Sequence, residues 1–112
     1  MILLSKLVGS YQETVIFVAD YMQVQFDDAI LTIFGYPSVS KELNKVISQD
    51  SVDYYKTLIS NNGHYVIGID QQKDSRKILY DNKTVITISM ILETVHPEVY
   101  MLQFSNNEWD VE

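Results

Sequence analysis

Two histidines, His64 and His96, are the side chains of this chain best suited to move a proton or hold a metal near neutral pH. His96 opens the triplet His96-Pro97-Glu98. One imidazole and one carboxylate fall short of the four ligands a closed site usually takes. His64 follows Asn61-Asn62-Gly63 and so leads from a turn into a strand. Both are expected to be partly exposed polar residues. The adjacent carboxylates Asp27 and Asp28 suggest acid–base work, but that chemistry needs groups on opposite sides of a substrate. Side by side they suit a turn, where short carboxylates bond the local backbone. No serine stands in a Gly-x-Ser-x-Gly context, and Gly9, Gly35, Gly63 and Gly68 form no phosphate loop. With no cysteine there is no disulfide, thiolate zinc site or thiol nucleophile. The expectation is a chain with no catalytic residues, no cofactor and no metal, hence not an enzyme. An enzyme would need a cleft joining His64 or His96 to a perturbed carboxylate.

The elements that would carry any site are mostly strands. Gln12–Val18 is β-branched and aromatic and suits a strand buried on both faces. Tyr21–Phe26 alternates apolar with polar, Asp27-Asp28 turns the chain, and Ala29–Phe34 returns until Gly35-Tyr36-Pro37 stops it. The second half repeats the plan: a strand from His64 to Ile69, a polar turn at Gln71–Asp74, then Lys77–Tyr80, Asp81-Asn82-Lys83 and Thr84–Met90. Phe26-Asp27-Asp28 matches Tyr80-Asp81-Asn82, and Ile30–Ile33 matches Val85–Ile88 with one extra residue in the second turn. Leu3–Gly9 resembles Tyr54–Ile59 with Gly63 beyond it, both reading as a short helix stopped by a Gly or Asn turn. Pro37-Ser38-Val39 echoes Pro97-Glu98-Val99. Between the halves, Val39, Leu43, Val46 and Ile47 fall at helical spacing with Ser40 as a cap. Val99–Phe104 reads as a last strand and Glu108–Glu112 as an acidic tail. The predicted fold class is α+β: a single antiparallel, β-rich domain over residues 1–112. Two related helix-plus-meander halves, about 1–37 and 52–99, would pack short helices on the sheet.

The 112 residues include 8 Lys and Arg against 15 Asp and Glu, a formal charge of −7. Such a surface is repelled by phosphates and anionic lipids, so neither nucleic acid nor membrane is an expected partner. The tyrosines and phenylalanines do not reverse this, because stacking on bases also needs a basic groove. The bases Lys73, Arg76, Lys77 and Lys83 are interleaved with Asp70, Asp74 and Asp81, as on a solvated hairpin. No apolar run approaches the ~20 residues that span a bilayer, and the start lacks the basic region of a signal peptide. A cytoplasmic location is expected. The acidity is uneven. Residues 1–36 set Lys6 against Glu13, Asp20, Asp27 and Asp28, a sum of −3. Residues 37–83 sum to +1, and residues 84–112 carry five acids and no base. The acids of that last segment, with Tyr100 and Trp109 as anchor types, form the expected partner face: Glu93, Glu98, Tyr100, Glu108, Trp109, Asp110 and Glu112.

The run Leu7-Val8-Gly9, then Val15–Asp28, Leu31-Thr32 and Pro37-Ser38-Val39 resembles small bacterial immunity proteins. These belong to contact-dependent growth inhibition and related polymorphic toxin systems. The Tyr80-Asp81-Asn82 turn, the Ile86-Thr87-Ile88 strand and Pro97-Glu98 extend the likeness over most of the chain. The matching residues are strands and turns, which carry fold rather than function. The resemblance implies a protein that binds and blocks the toxic C-terminal domain of a cognate effector, often a nuclease and foremost a ribonuclease. It transfers no binding residues, so the face named above rests on charge. A housekeeping domain that binds a small ligand or joins an assembly is the alternative, and a deep apolar pocket would favour it.

Overall fold

The computed structural model describes residues 3–41, 46–90, 99–106 and 108–111. The described chain is a mostly antiparallel β domain of two sheets with one short α-helix. A 3-10 segment at Leu3–Leu7 leads into β1 (Gln12–Val18), β2 (Tyr21–Phe26) and β3 (Ala29–Phe34). Next come β4 (Ser38–Lys41), β5 (Val46–Ile47) and helix α1 (Tyr54–Ile59). The chain continues through β6 (Val66–Gln71), β7 (Ser75–Tyr80), β8 (Thr84–Ser89), β9 (Tyr100–Phe104) and β10 (Trp109–Val111). The first sheet has the order β1-β2-β3-β9-β10 and the second β6-β7-β8-β4-β5, with neighbours antiparallel throughout.

These orders correspond strand for strand. Each meander is completed by a hairpin that comes from the other half of the sequence: β9-β10 joins β3, and β4-β5 joins β8. The registers agree in detail. Gln12 pairs with Phe26 and the register shifts before Thr14; Val66 pairs with Tyr80 and the register shifts before Gly68. A bulge therefore bends both first strands at the same place. Gly9 and Gly63 stand before those strands at φ +94° and +85°, a region that glycine enters without a Cβ clash. The backbone N–H of Asp27 donates to Tyr11 O, and that of Asp81 donates to Tyr65 O, at 3.1 and 2.9 Å.

Alternation decides which side chains go inward. Met22, Val24 and Phe26 on β2, Leu31 and Ile33 on β3, and Leu102 and Phe104 on β9 are buried. Ile78 and Tyr80 on β7 and Ile86 and Ile88 on β8 do the same in the second sheet. Leu4 and Leu7 of the 3-10 segment and Tyr54 and Leu58 of α1 join the same core. At the seam between the halves, Gln12 is fully buried and its side chain is satisfied. Its Nε2 donates to Leu58 O at 2.9 Å and Asn62 Oδ1 at 2.8 Å, and its Oε1 accepts from Tyr80 Oη at 2.7 Å.

Five expectations are corrected. The α+β class with two helix-bearing halves is met only in part, since the first half opens on a 3-10 turn and α-helix occurs only at α1 among the described residues. The helical spacing of Val39, Val46 and Ile47 is instead a hairpin, with Val39 opposite Ile47 and Ser40 opposite Val46; Leu43 lies outside the described residues. β1 is an edge strand with Ile16 exposed, not buried on both faces. The tail forms β10, whose Trp109 and Val111 pair with Gln103 and Met101. The Pro97 echo is displaced too. Val39 faces Ile86 as Leu102 faces Leu31, so Val39 corresponds to Leu102 rather than Val99.

Candidate functional site

The two sheets divide the charge. Residues 12–34 and 100–111, which build the first sheet, hold Glu13, Asp20, Asp27, Asp28, Glu108 and Asp110 and no Lys or Arg. The second sheet carries Lys41, Lys73, Arg76, Lys77 and Lys83 against Asp70, Asp74 and Asp81. Exchange of the last hairpin creates this division, because it places the base-free C-terminal segment beside the acidic first meander. Like charges gathered on one side raise the local potential and steer a cationic partner.

Residues of the expected partner face have different fates. Trp109 is 48% exposed on edge strand β10, so the indole stands at the surface. Tyr100 is a correction: it is 0% exposed, because Tyr100, Leu102 and Phe104 are the inward set of β9. Glu108 is held by the chain itself. Its Oε2 accepts from Lys6 Nζ at 2.7 Å and its Oε1 from Asn106 Nδ2 at 2.8 Å. Those two hydrogen bonds hold its carboxyl below the usual carboxylate range. Asp110 is in β10 opposite Leu102. Glu93, Glu98 and Glu112 lie outside the described residues, as does His96.

Beside β10, at the turn end of the first sheet, an open pocket of about 320 Å³ is lined by Glu13, Gln25, Asp27, Asp28, Ile30 and Gln103, among others. Charge counting over the C-terminal segment alone missed it, because its acids come from the first meander. The signal was available in the −3 sum of residues 1–36. The aspartates also hold the turn, as expected. Asp27 Oδ1 accepts from Tyr11 N at 3.1 Å and Asp28 Oδ1 from Ser10 Oγ at 2.8 Å.

The second half repeats that strap with different side chains. His64 Nδ1 lies 2.7 Å from Asp81 Oδ1, with both side chains about 40% exposed. Ser10 stands before β1 as His64 stands before β6, each bound to the turn between the second and third strands or its neighbour. Tying a strand entry to a hairpin accounts for this His–Asp pair without a reaction. Among the described residues no group of three His, Asp or Glu side chains is placed to hold a metal. A cluster of Phe17, Tyr36, Tyr54 and Tyr55 packs edge-to-face and stacked where β1 meets α1. The Tyr54 hydroxyl donates to Pro37 O and the Tyr36 hydroxyl to Val18 O. Burial pushes both hydroxyls above the ordinary phenol value, which suits neutral structural donors.

No helix among the described residues is long and apolar enough to cross a membrane. Comparisons with protein-family models, with curated proteins and with solved structures returned no match.

Proposed function

We propose that this chain is an immunity-type protein: it binds a basic toxin domain, foremost a ribonuclease, and silences it without performing a reaction of its own. The observation that supports this most is the charge division, six carboxylates and no base in the first sheet with Trp109 exposed at its edge. Such a surface recognises a cationic protein by complementary potential and speeds the encounter, which an inhibitor needs if it is to act before damage is done. Its contacts are the exposed acids of the first sheet and Trp109. Glu108 adds little to that surface, because Lys6 already pairs with it. The test is to seek a secreted effector with a basic C-terminal domain encoded beside this chain, and to co-express and co-purify that domain with it. Recovery of a stoichiometric complex in which the toxin activity is lost is the expected result; failure to bind that domain contradicts the reading.

The matching strand orders, bulges and glycines also support an internal duplication, in which each unit lends its last hairpin to the other. The repeating unit then reaches beyond 1–37 and 52–99, because β4-β5 and β9-β10 belong to it.

A further inference from the structure

We infer that the outer face of the first sheet is the docking surface, and that it takes an apolar patch bordered by Lys or Arg on a partner protein. This rests on the reading of the chain as a binder of a basic protein and names the surface that does it. Residues paired across neighbouring strands share a face, so the middle row of the outer face runs Ile16, Gln23, Thr32, Met101, Val111. The flanking rows add Tyr21, Phe34, Ile30 and Trp109 together with Val, Thr and Gln, and none of these cross-strand paired positions is charged; Glu13, exposed at the β1 bulge, stands at the margin. Ile16, Ile30, Trp109 and Val111 are each 39–48% exposed. A chain of net charge −7 thus keeps the paired rows of one sheet face free of charge.

The fold does not require this. Five corresponding outward positions of the second sheet differ in kind, Ser75 for Tyr21, Ser89 for Phe34, Ser38 for Met101, Asp70 for Ile16 and Lys77 for Gln23, while Val85 stands for Ile30 and Val46 for Trp109. The same architecture therefore accepts small polar or charged residues at those five positions. Apolar side chains in water gain nothing for the monomer, and a contiguous apolar patch marks an interaction surface.

Charge selects the occupant. At the turn end the face runs into the open pocket bearing Glu13, Asp27 and Asp28, and Asp20 sits at the opposite turn. A partner with Lys or Arg around an apolar centre fits both parts. A second copy matches only the apolar part. Face to face, two copies would oppose acids with acids.

The test measures association and dissociation rates of the full chain with a basic C-terminal effector domain sought in the neighbouring gene. The variants are Trp109→Ala, Met101→Ser and Gln23→Lys, with Lys77→Gln on the opposite sheet as control. Thermal unfolding checks that each is folded; Gln23→Lys gives up one side-chain hydrogen bond, from Gln23 Nε2 to Thr32 Oγ1. The expected result is dissociation about tenfold faster or more for Trp109→Ala and Met101→Ser. Gln23→Lys should weaken binding by about tenfold or more, and Lys77→Gln should leave it within about twofold. Wild-type binding with all three face variants within about twofold overturns this surface while leaving the function intact. A wild-type chain that does not bind the domain overturns the function and this surface with it. If the chain alone sediments as a dimer that Gln23→Lys dissociates, the face belongs to a second copy and the inference is wrong.

Discussion

At Gln12 one buried amide makes three hydrogen bonds, to Leu58 O, Asn62 Oδ1 and Tyr80 Oη, and so spans the seam between the halves. Burial raises the Tyr80 hydroxyl well above the ordinary phenol value, so it stays a neutral donor. Gln12→Leu leaves that donor and the Leu58 carbonyl without their partner. Urea denaturation should show a loss of about 2–4 kcal/mol, against about 1 kcal/mol for Tyr80→Phe, which removes one donor and leaves less unpaired. Glu108 gives the pH response. Its folded value lies below that of a free carboxylate, so its contribution is complete at neutral pH and is lost as pH falls through the folded value. A carboxyl NMR titration should place Glu108 below a free glutamate side chain, and Lys6→Met should move it back up. The turn roles of Asp27 and Asp28 were legible because their chemistry is local. Tyr100 was misassigned as a surface anchor although Tyr100, Leu102 and Phe104 alternate with Met101 and Gln103. Residue type suggested an interface, while the period of two already pointed inward.

Among the elements, the meanders β1-β2-β3 and β6-β7-β8 follow from local pattern: alternation, a two-residue turn in one and a three-residue turn in the other. Lys83 takes φ +70° in the longer turn, which absorbs the extra residue. Gly9 and Gly63 end the two leading segments with open space where a Cβ would sit, so substitution costs conformation rather than contacts. Gly9→Ala and Gly63→Ala should each lower stability by about 1–2 kcal/mol in thermal unfolding, with similar values because the two sites are equivalent. Segment 38–47 was not legible as strand. Its apolar residues satisfy a helical spacing, and what decides the matter is the pairing of β4 with β8, a partner far along the chain. The strand at β10 was hidden for the same reason: short, acidic sequence becomes a strand through its ladder to β9.

For the whole molecule, exchange of hairpins means that neither sheet can form from one half of the chain. Unfolding should be one cooperative transition, with far-UV and near-UV circular dichroism superimposing; a fragment ending at residue 50 should not fold alone. Exchange also makes the charge division, which composition alone could not locate: −7 was visible in the sequence, but not that its acids would meet in one sheet around a face without charge. Docking of this acidic sheet onto a cationic protein is checked by the association rate with a basic effector domain as salt is raised. The account predicts a fall of about tenfold or more between ~10 mM and ~1 M salt, and a shallower fall for Glu13→Gln with Asp20→Asn. A rate independent of salt, or unchanged by those two substitutions, would contradict it.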